Sequence, residues 1–185
     1  METDAKRLVT EVKIQRAFIQ LVTTVGFDRL TVQQLSQTAH INRGTFYLHY
    51  LDKYDLLTHL ENDLVAQVQE IFQRYPKPGT GATTTDAFGK LFTYLYRQRQ
   101  LAVVLLNSPA SQLRGRVKTL ILTVIGPATA SPISPAIARE LVAQGILDFV
   151  GNWLGQEPVP SSEQAYTLFK QTRSLSPQQL LGVTE

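Results

Sequence analysis

Arg43, Gly44, Thr45, Tyr47, His49 and Lys53 bring a guanidinium, a hydroxyl, a phenol, an imidazole and an ammonium into one short stretch, and residues 31–50 contain no carboxylate. Such a set donates hydrogen bonds to anionic oxygens and is tolerated in a groove lined by phosphates. A guanidinium can also pair bidentately with a guanine edge, and a threonine can touch a thymine methyl or a base acceptor. Gly44 would let the backbone approach closely, while Tyr47, His49 and Lys53 suit phosphates. Catalytic chemistry is harder to assemble. Of the three histidines, His40 and His49 lie in this stretch, and His59 stands two residues from Glu61 and four from Asp63. Glu61 stands two residues from each of the others and points to a different face of a helix, so the three do not converge and read as solvated surface rather than metal ligands. No cysteine, nucleophile elbow or phosphate-cradling glycine loop is present. Neither an enzyme nor a metal or cofactor site is expected.

Local signals predict the elements that position these groups. Thr31 with Gln34 forms a capping box, after which Val32, Leu35 and Ala39 share one apolar face. The chain must then turn sharply at His40, and Asn42 is a good N-cap for the next helix. Ile41 and Phe46 face inward, Tyr50 reads as a core aromatic, and Asp52 caps a further helix that opens with Lys53. Two short helices, a tight turn and a longer helix are the layout of a major-groove reader, with Thr31 and Gln33 at the flanking backbone.

The run Arg43-Gly44-Thr45-Phe46-Tyr47, followed by His49, Lys53 and Asp55-Leu56-Leu57, resembles the helix-turn-helix of the tetracycline-repressor (TetR) family of bacterial transcription regulators. The resemblance covers roughly residues 8–68. One departure is His40, where the family usually has glycine because the turn needs a left-handed backbone; histidine accepts positive φ at modest strain. The resemblance implies an all-α fold, with a three-helix DNA-binding domain at 1–51 (motif 31–50) and a helical regulatory and dimerisation domain at 52–185, joined by helix 52–75. It further implies a homodimer on a palindromic double-stranded operator and a small-molecule effector acting on a repressor. An activator or protein-partnered regulator is the alternative, as is an interaction protein that has lost DNA binding.

Elsewhere the 185-residue chain signals helix throughout. Arg7 to Val25 has apolar positions at Val12, Phe18, Leu21, Val22 and Val25 before a natural stop at Gly26. Residues 76–84 read as a linker and 126–135 as a second loop, with Thr85 opening a helix between them. Phe88, Phe92, Tyr96, Leu105 and Leu120 are candidates to line an effector cavity, or are ordinary core. Ser134-Pro135 starts a helix whose apolar residues from Ile137 to Leu154 make a band too wide for one core face. Ile146, Phe149, Val150 and Trp153, with Phe169 from the following helix, are accordingly candidates for a four-helix dimer contact, with intramolecular burial as the alternative. The C-terminal stretch from Gly145 to Phe169 more loosely resembles a TetR subgroup of low-GC Gram-positive bacteria.

Net charge is +3, yet residues 76–135 hold a local balance of +6. That excess reads as solvated helix surface, since its charges fall on separate predicted helices; a second nucleic-acid patch or an anionic-effector site are the alternatives. The N-terminus lacks an apolar signal core and the longest aliphatic run, Leu101 to Leu106, is too short for a bilayer, so a cytoplasmic protein without membrane contact is expected.

Overall fold

Helix caps account for where the elements begin. The computed structural model describes residues 2–75, 86–125 and 132–182, and these form ten helices and no strand. They are α1 (Glu2–Val25), α2 (Val32–Thr38), α3 (Arg43–Tyr47), α4 (Lys53–Arg74), α5 (Ala87–Arg97), α6 (Arg99–Asn107), α7 (Leu113–Ile125), α8 (Pro135–Leu154), α9 (Ser162–Thr172) and α10 (Pro177–Leu181). The all-α expectation holds. The linker at 76–84, Thr85 and residues 126–131 of the second loop lie outside the described residues. Asp86 rather than Thr85 is the N-cap of α5, its Oδ1 accepting from the Gly89 N–H at 2.8 Å.

Contacts divide the chain into two units: Met1–Ala66 with Val104–Arg114, and Gln67–Val103 with Gly115–Glu185. The expected boundary at 51/52 falls inside the first unit, and α4 contributes residues to both.

In the first unit α1 buries Ile14, Ala17, Phe18 and Leu21, the i, i+3, i+4, i+7 stripe of an amphipathic helix. Val12 and Val25, two of the apolar positions of the helix, are exposed. Val12 lies about 200° round the helix from Ile14 at ~100° per residue, and Val25 is the last residue of the element. Phe27 and Leu30 fill the turn after α1, the rings of Phe18 and Phe27 meeting edge-on at 6.2 Å. Leu35, Ala39, Phe46 and Tyr50 complete the core of the motif, with Leu56, Leu57, Leu60 and Leu64 buried along α4. Glu61 corrects the surface reading of its neighbourhood. It is only 4% exposed, and its Oε1 accepts from the Gln112 N–H at 2.9 Å, satisfying a backbone donor just before α7.

The second unit is organised by aromatic rings. Phe92 is fully buried, with Trp153 at 4.9 Å, Phe169 at 5.3 Å, Tyr166 at 5.5 Å and Phe149 at 5.9 Å between centroids. Phe88 stacks on Phe169 at 5.4 Å and meets Phe72 at 5.5 Å, while Tyr96 lies 6.4 Å from Trp153. Such pairs add about 0.5–1.5 kcal/mol each beyond area burial. Tyr166 also donates to Asp86 Oδ2, so one carboxylate caps α5 and ties it to α9. Burial first, and this hydrogen bond second, raise the Tyr166 phenol above its ordinary range.

The α2–α3 turn takes the strained form that the sequence suggests. His40 has φ +54°, the Ile41 N–H donates to the Ser36 carbonyl at 3.0 Å, and the His40 N–H to Gln37 at 3.1 Å. Those two bonds make a Schellman ending, whose left-handed residue is usually glycine. His40→Gly should therefore raise the unfolding free energy by up to about 1 kcal/mol, less the extra chain entropy of glycine; a lower melting temperature would show that the imidazole is held by something other than strain. Tyr50 supplies a pH dependence. Burial, then the charge of Glu11, push its phenol from 10.0 up to about 12. A raised acid favours the folded state while neutral, so this contribution is whole below pH ~10 and fades as pH climbs toward ~12, amounting to about 2 kcal/mol. Tyr50→Phe should flatten the loss of stability measured by denaturant titration across that interval.

Candidate nucleic-acid interface

A short exposed helix carries the polar set. Asn42 precedes α3 in extended backbone without a side-chain cap bond, and Phe46 anchors the helix as a fully buried side chain. The Phe46 ring meets those of Tyr47 and Tyr50, each at 5.7 Å. Anchoring by Phe46 leaves Arg43, Gly44 and Tyr47 exposed, with Thr45 half-buried. Arg43 Nη2 donates to the Tyr47 hydroxyl at 3.1 Å, one helical turn on, and the guanidinium lies 5.8 Å from that ring. The pair presents a pre-ordered donor head to which no carboxylate is hydrogen-bonded among the described residues. A Cβ added at Gly44 would meet nothing within 4 Å, so nothing inside the fold requires glycine there.

The remaining site residues are held by the fold itself. His49 turns inward, its side chain only 9% exposed and Nδ1 3.3 Å from Glu11 Oε1 on α1. Lys53 Nζ donates to the carbonyls of Phe27 at 3.0 Å and Asp28 at 2.9 Å, and sits 4.9 Å above the Phe27 ring. It thus tethers the start of α4 to the turn after α1. Asp52 caps α4 as expected, Oδ1 accepting from the Tyr54 and Asp55 N–H groups at 2.8 Å. Thr31 and Gln34 form the expected capping box at the head of α2, and Gln33 is exposed beside it.

Sequence reasoning missed Leu48 and Leu51, which follow α3 and are 84% and 79% exposed. Two large apolar side chains left bare beside the polar helix widen the surface available to a partner; their only sequence signal is failure to match the apolar stripe that Phe46 and Tyr50 define.

In the second unit, Phe88, Phe92 and Tyr96 share one ring cluster with Phe149, Trp153 and Phe169, so the residues grouped as cavity and as dimer contact meet within a single chain. Leu105 belongs to the first unit and Leu120 is half-buried on α7. Ile146 and Val150 are likewise buried on α8. Ile137 and Leu141 stay bare on that helix, 55% and 62% exposed, as do Val142 and, on α9, Leu168. A groove of about 520 Å³ runs along α8, α9 and α10, with Phe149, Trp153, Leu168 and Leu180 in its wall. Arg173 overhangs it, its guanidinium 4.7 Å from the Phe169 ring and above Gly145. No group of three or more metal-ligating side chains and no helix long and apolar enough to cross a membrane occurs among the described residues.

Residues 14–60 match the family described as bacterial regulatory proteins, tetR family. A Bacillus subtilis (strain 168) protein described as the uncharacterized HTH-type transcriptional regulator YxbF is 25% identical over 91 residues, 49% of this chain but only 21% of that protein's length. Among solved structures, a TetR transcriptional regulator from Streptococcus agalactiae 2603V superposes with a TM-score of 0.61 at 20% identity, covering 93% of this chain and 98% of that one. NalD of Pseudomonas aeruginosa, described as the secondary repressor of the MexAB-OprM multidrug efflux pump, gives 0.63 at 17% identity over 96% and 99%. The structural likenesses speak for a shared fold.

Proposed function

We propose that this chain, a member of the TetR family of bacterial regulatory proteins, acts as a homodimeric, ligand-responsive repressor that reads a palindromic operator through α3. The observation that carries the DNA reading is the exposed Arg43–Tyr47 pair on a helix whose far side is locked by Phe46. Arg43 is assigned to a guanine edge and Thr45 to a thymine methyl or base acceptor. Tyr47, with Thr31 and Gln33 at the head of α2, is assigned to phosphates, and Gly44 to a close approach of the helix backbone. His49 and Lys53 support these contacts from behind: one is packed against Glu11, and the other fixes the start of α4 through backbone carbonyls. A cytoplasmic location accompanies a DNA target in this reading.

One five-residue recognition helix covers few base pairs, so two copies on a two-fold site supply the affinity and specificity that one lacks. Because Ile146, Val150, Trp153 and Phe169 spend their surface within the chain, the contact is assigned to the part of the band left bare: Ile137, Leu141, Val142 and Leu168. An effector that binds one of two conformers of the second unit more tightly would bias the first through α4, which contributes residues to both.

Titration of operator and random duplex by fluorescence anisotropy tests the DNA assignment. Arg43→Ala should narrow the affinity ratio between them by about tenfold, the lower end of a bidentate contact worth ~1–3 kcal/mol. Gly44→Ala should weaken operator binding while leaving thermal stability equal or higher, since alanine favours a helix by up to about 1 kcal/mol; an unchanged ratio with Arg43→Ala sinks the assignment. For the dimer, sedimentation velocity of Leu141→Glu should show a monomer where the parent is a dimer, with operator affinity lost in parallel. A dimer that survives this charge would place the contact on another face.

A further inference from the structure

The basic excess of residues 76–135 is unevenly used by the fold. Lys118 pairs with Glu140, Arg99 donates to the Tyr96 carbonyl at 3.1 Å and lies 5.0 Å from its ring, and Arg114 and Arg116 have partners of their own. Lys90 and Arg97 are different. Seven residues apart on one face of α5, they line a cleft of about 330 Å³ together with Arg74 from the last turn of α4. None of these three cations has a carboxylate within ion-pair distance among the described residues. Glu70 is the one acid in the cleft wall among the described residues, and although it stands four residues before Arg74 it does not pair with it. Lys90 instead lies 5.5 Å from the centroid of the Tyr75 ring.

Among the described residues, three cations gathered in one concave site against a single carboxylate leave two uncompensated charges, which repel each other until an anion enters. We propose that this cleft is a binding site for a compact dianion: a small molecule bearing a phosphate monoester or two carboxylates. Charge sets the valence, since two negative charges neutralise the site with Glu70 ionised. Geometry sets the head group, because two planar guanidinium forks present paired donors that match phosphate or carboxylate oxygens, and the ammonium adds a point charge. Volume sets the size, since about 330 Å³ is at the small end of ligand sites, which run from ~300 to ~1,000 Å³. The site also has a route to the rest of the molecule. Arg74 closes the helix that Lys53 opens, so an ion held by Arg74 acts on an element that also carries part of the first unit.

Isothermal titration calorimetry of the full chain, without DNA, tests this with glucose 6-phosphate and succinate as probes and glucose as the neutral control. One probe site per chain is expected, weakening as salt is raised and weakened at least tenfold in Arg97→Gln and in Lys90→Gln; both side chains lie at the surface of the cleft, and circular dichroism verifies that each variant is folded. Tighter binding of glucose 6-phosphate assigns the phosphate monoester, and tighter binding of succinate the dicarboxylate. Absence of heat with both probes at millimolar concentration, equal binding of glucose, or affinity unaltered in the two folded variants would overturn the proposal. The measurement contains no operator, so such a failure leaves the DNA reading standing, and loss of DNA binding leaves the dianion site standing.

Discussion

A single backbone reversal sets the geometry on which the DNA-reading surface depends. Between α2 and α3 the chain changes direction within four residues, and the left-handed conformation of His40 makes this possible by returning the Ile41 and His40 N–H groups to the last turn of α2. The Ser36 and Gln37 carbonyls that accept them would otherwise be orphaned at the C-terminal end of a helix whose inner face is buried. With the turn closed, Asn42 begins α3 in extended backbone, Phe46 falls into the core, and Arg43, Gly44 and Tyr47 are left facing solvent. The polar set and the buried ring are two sides of one constraint: five helical residues can hold an orientation only if one of them is locked.

Reinforcement comes from distant residues acting on the backs of the functional groups. Lys53 donates to two carbonyls in the turn after α1, and its ammonium lies over the Phe27 ring. Glu11 meets His49 across 38 residues of sequence, and Glu61 closes a backbone donor 51 residues away. Charged groups of the first unit thus fall into two kinds, those engaged with the protein and those presented outward. Arg43, restrained by a neighbouring phenol, is of the second kind.

The second unit reaches order by other means. Its rings meet around Phe92, and the polar link between α5 and α9 is one carboxylate that serves both as helix cap and as partner of a phenol. Aromatic periodicity on α5 allowed two readings, cavity lining and core, and rings of α8 and α9 face Phe88, Phe92 and Tyr96, with Phe88 and Phe92 buried and Tyr96 half-buried. The apolar band of α8 is in turn divided: its surface toward Phe92 is consumed inside the chain, whereas Ile137 and Leu141 stay bare.

Short-range signals were legible because their partners lie within a turn. The capping box at Thr31, the stop at Gly26, the positive φ of His40, the cap at Asp52 and the burial of Phe46 and Tyr50 follow from residue type and spacing of three or four positions. So did the helix-turn-helix signature, whose order of residues states the element and its exposed face together. What tertiary structure alone decided involves partners remote in sequence: the inward turn of His49, the tethering of Lys53, the burial of Glu61, the joining of Asp86 to Tyr166 across 80 residues, and the meeting of Arg74 with Lys90 and Arg97. The physical reason is that periodicity states which face of a helix is apolar or charged, but not which other face it will meet; that pairing is settled only when the helices pack.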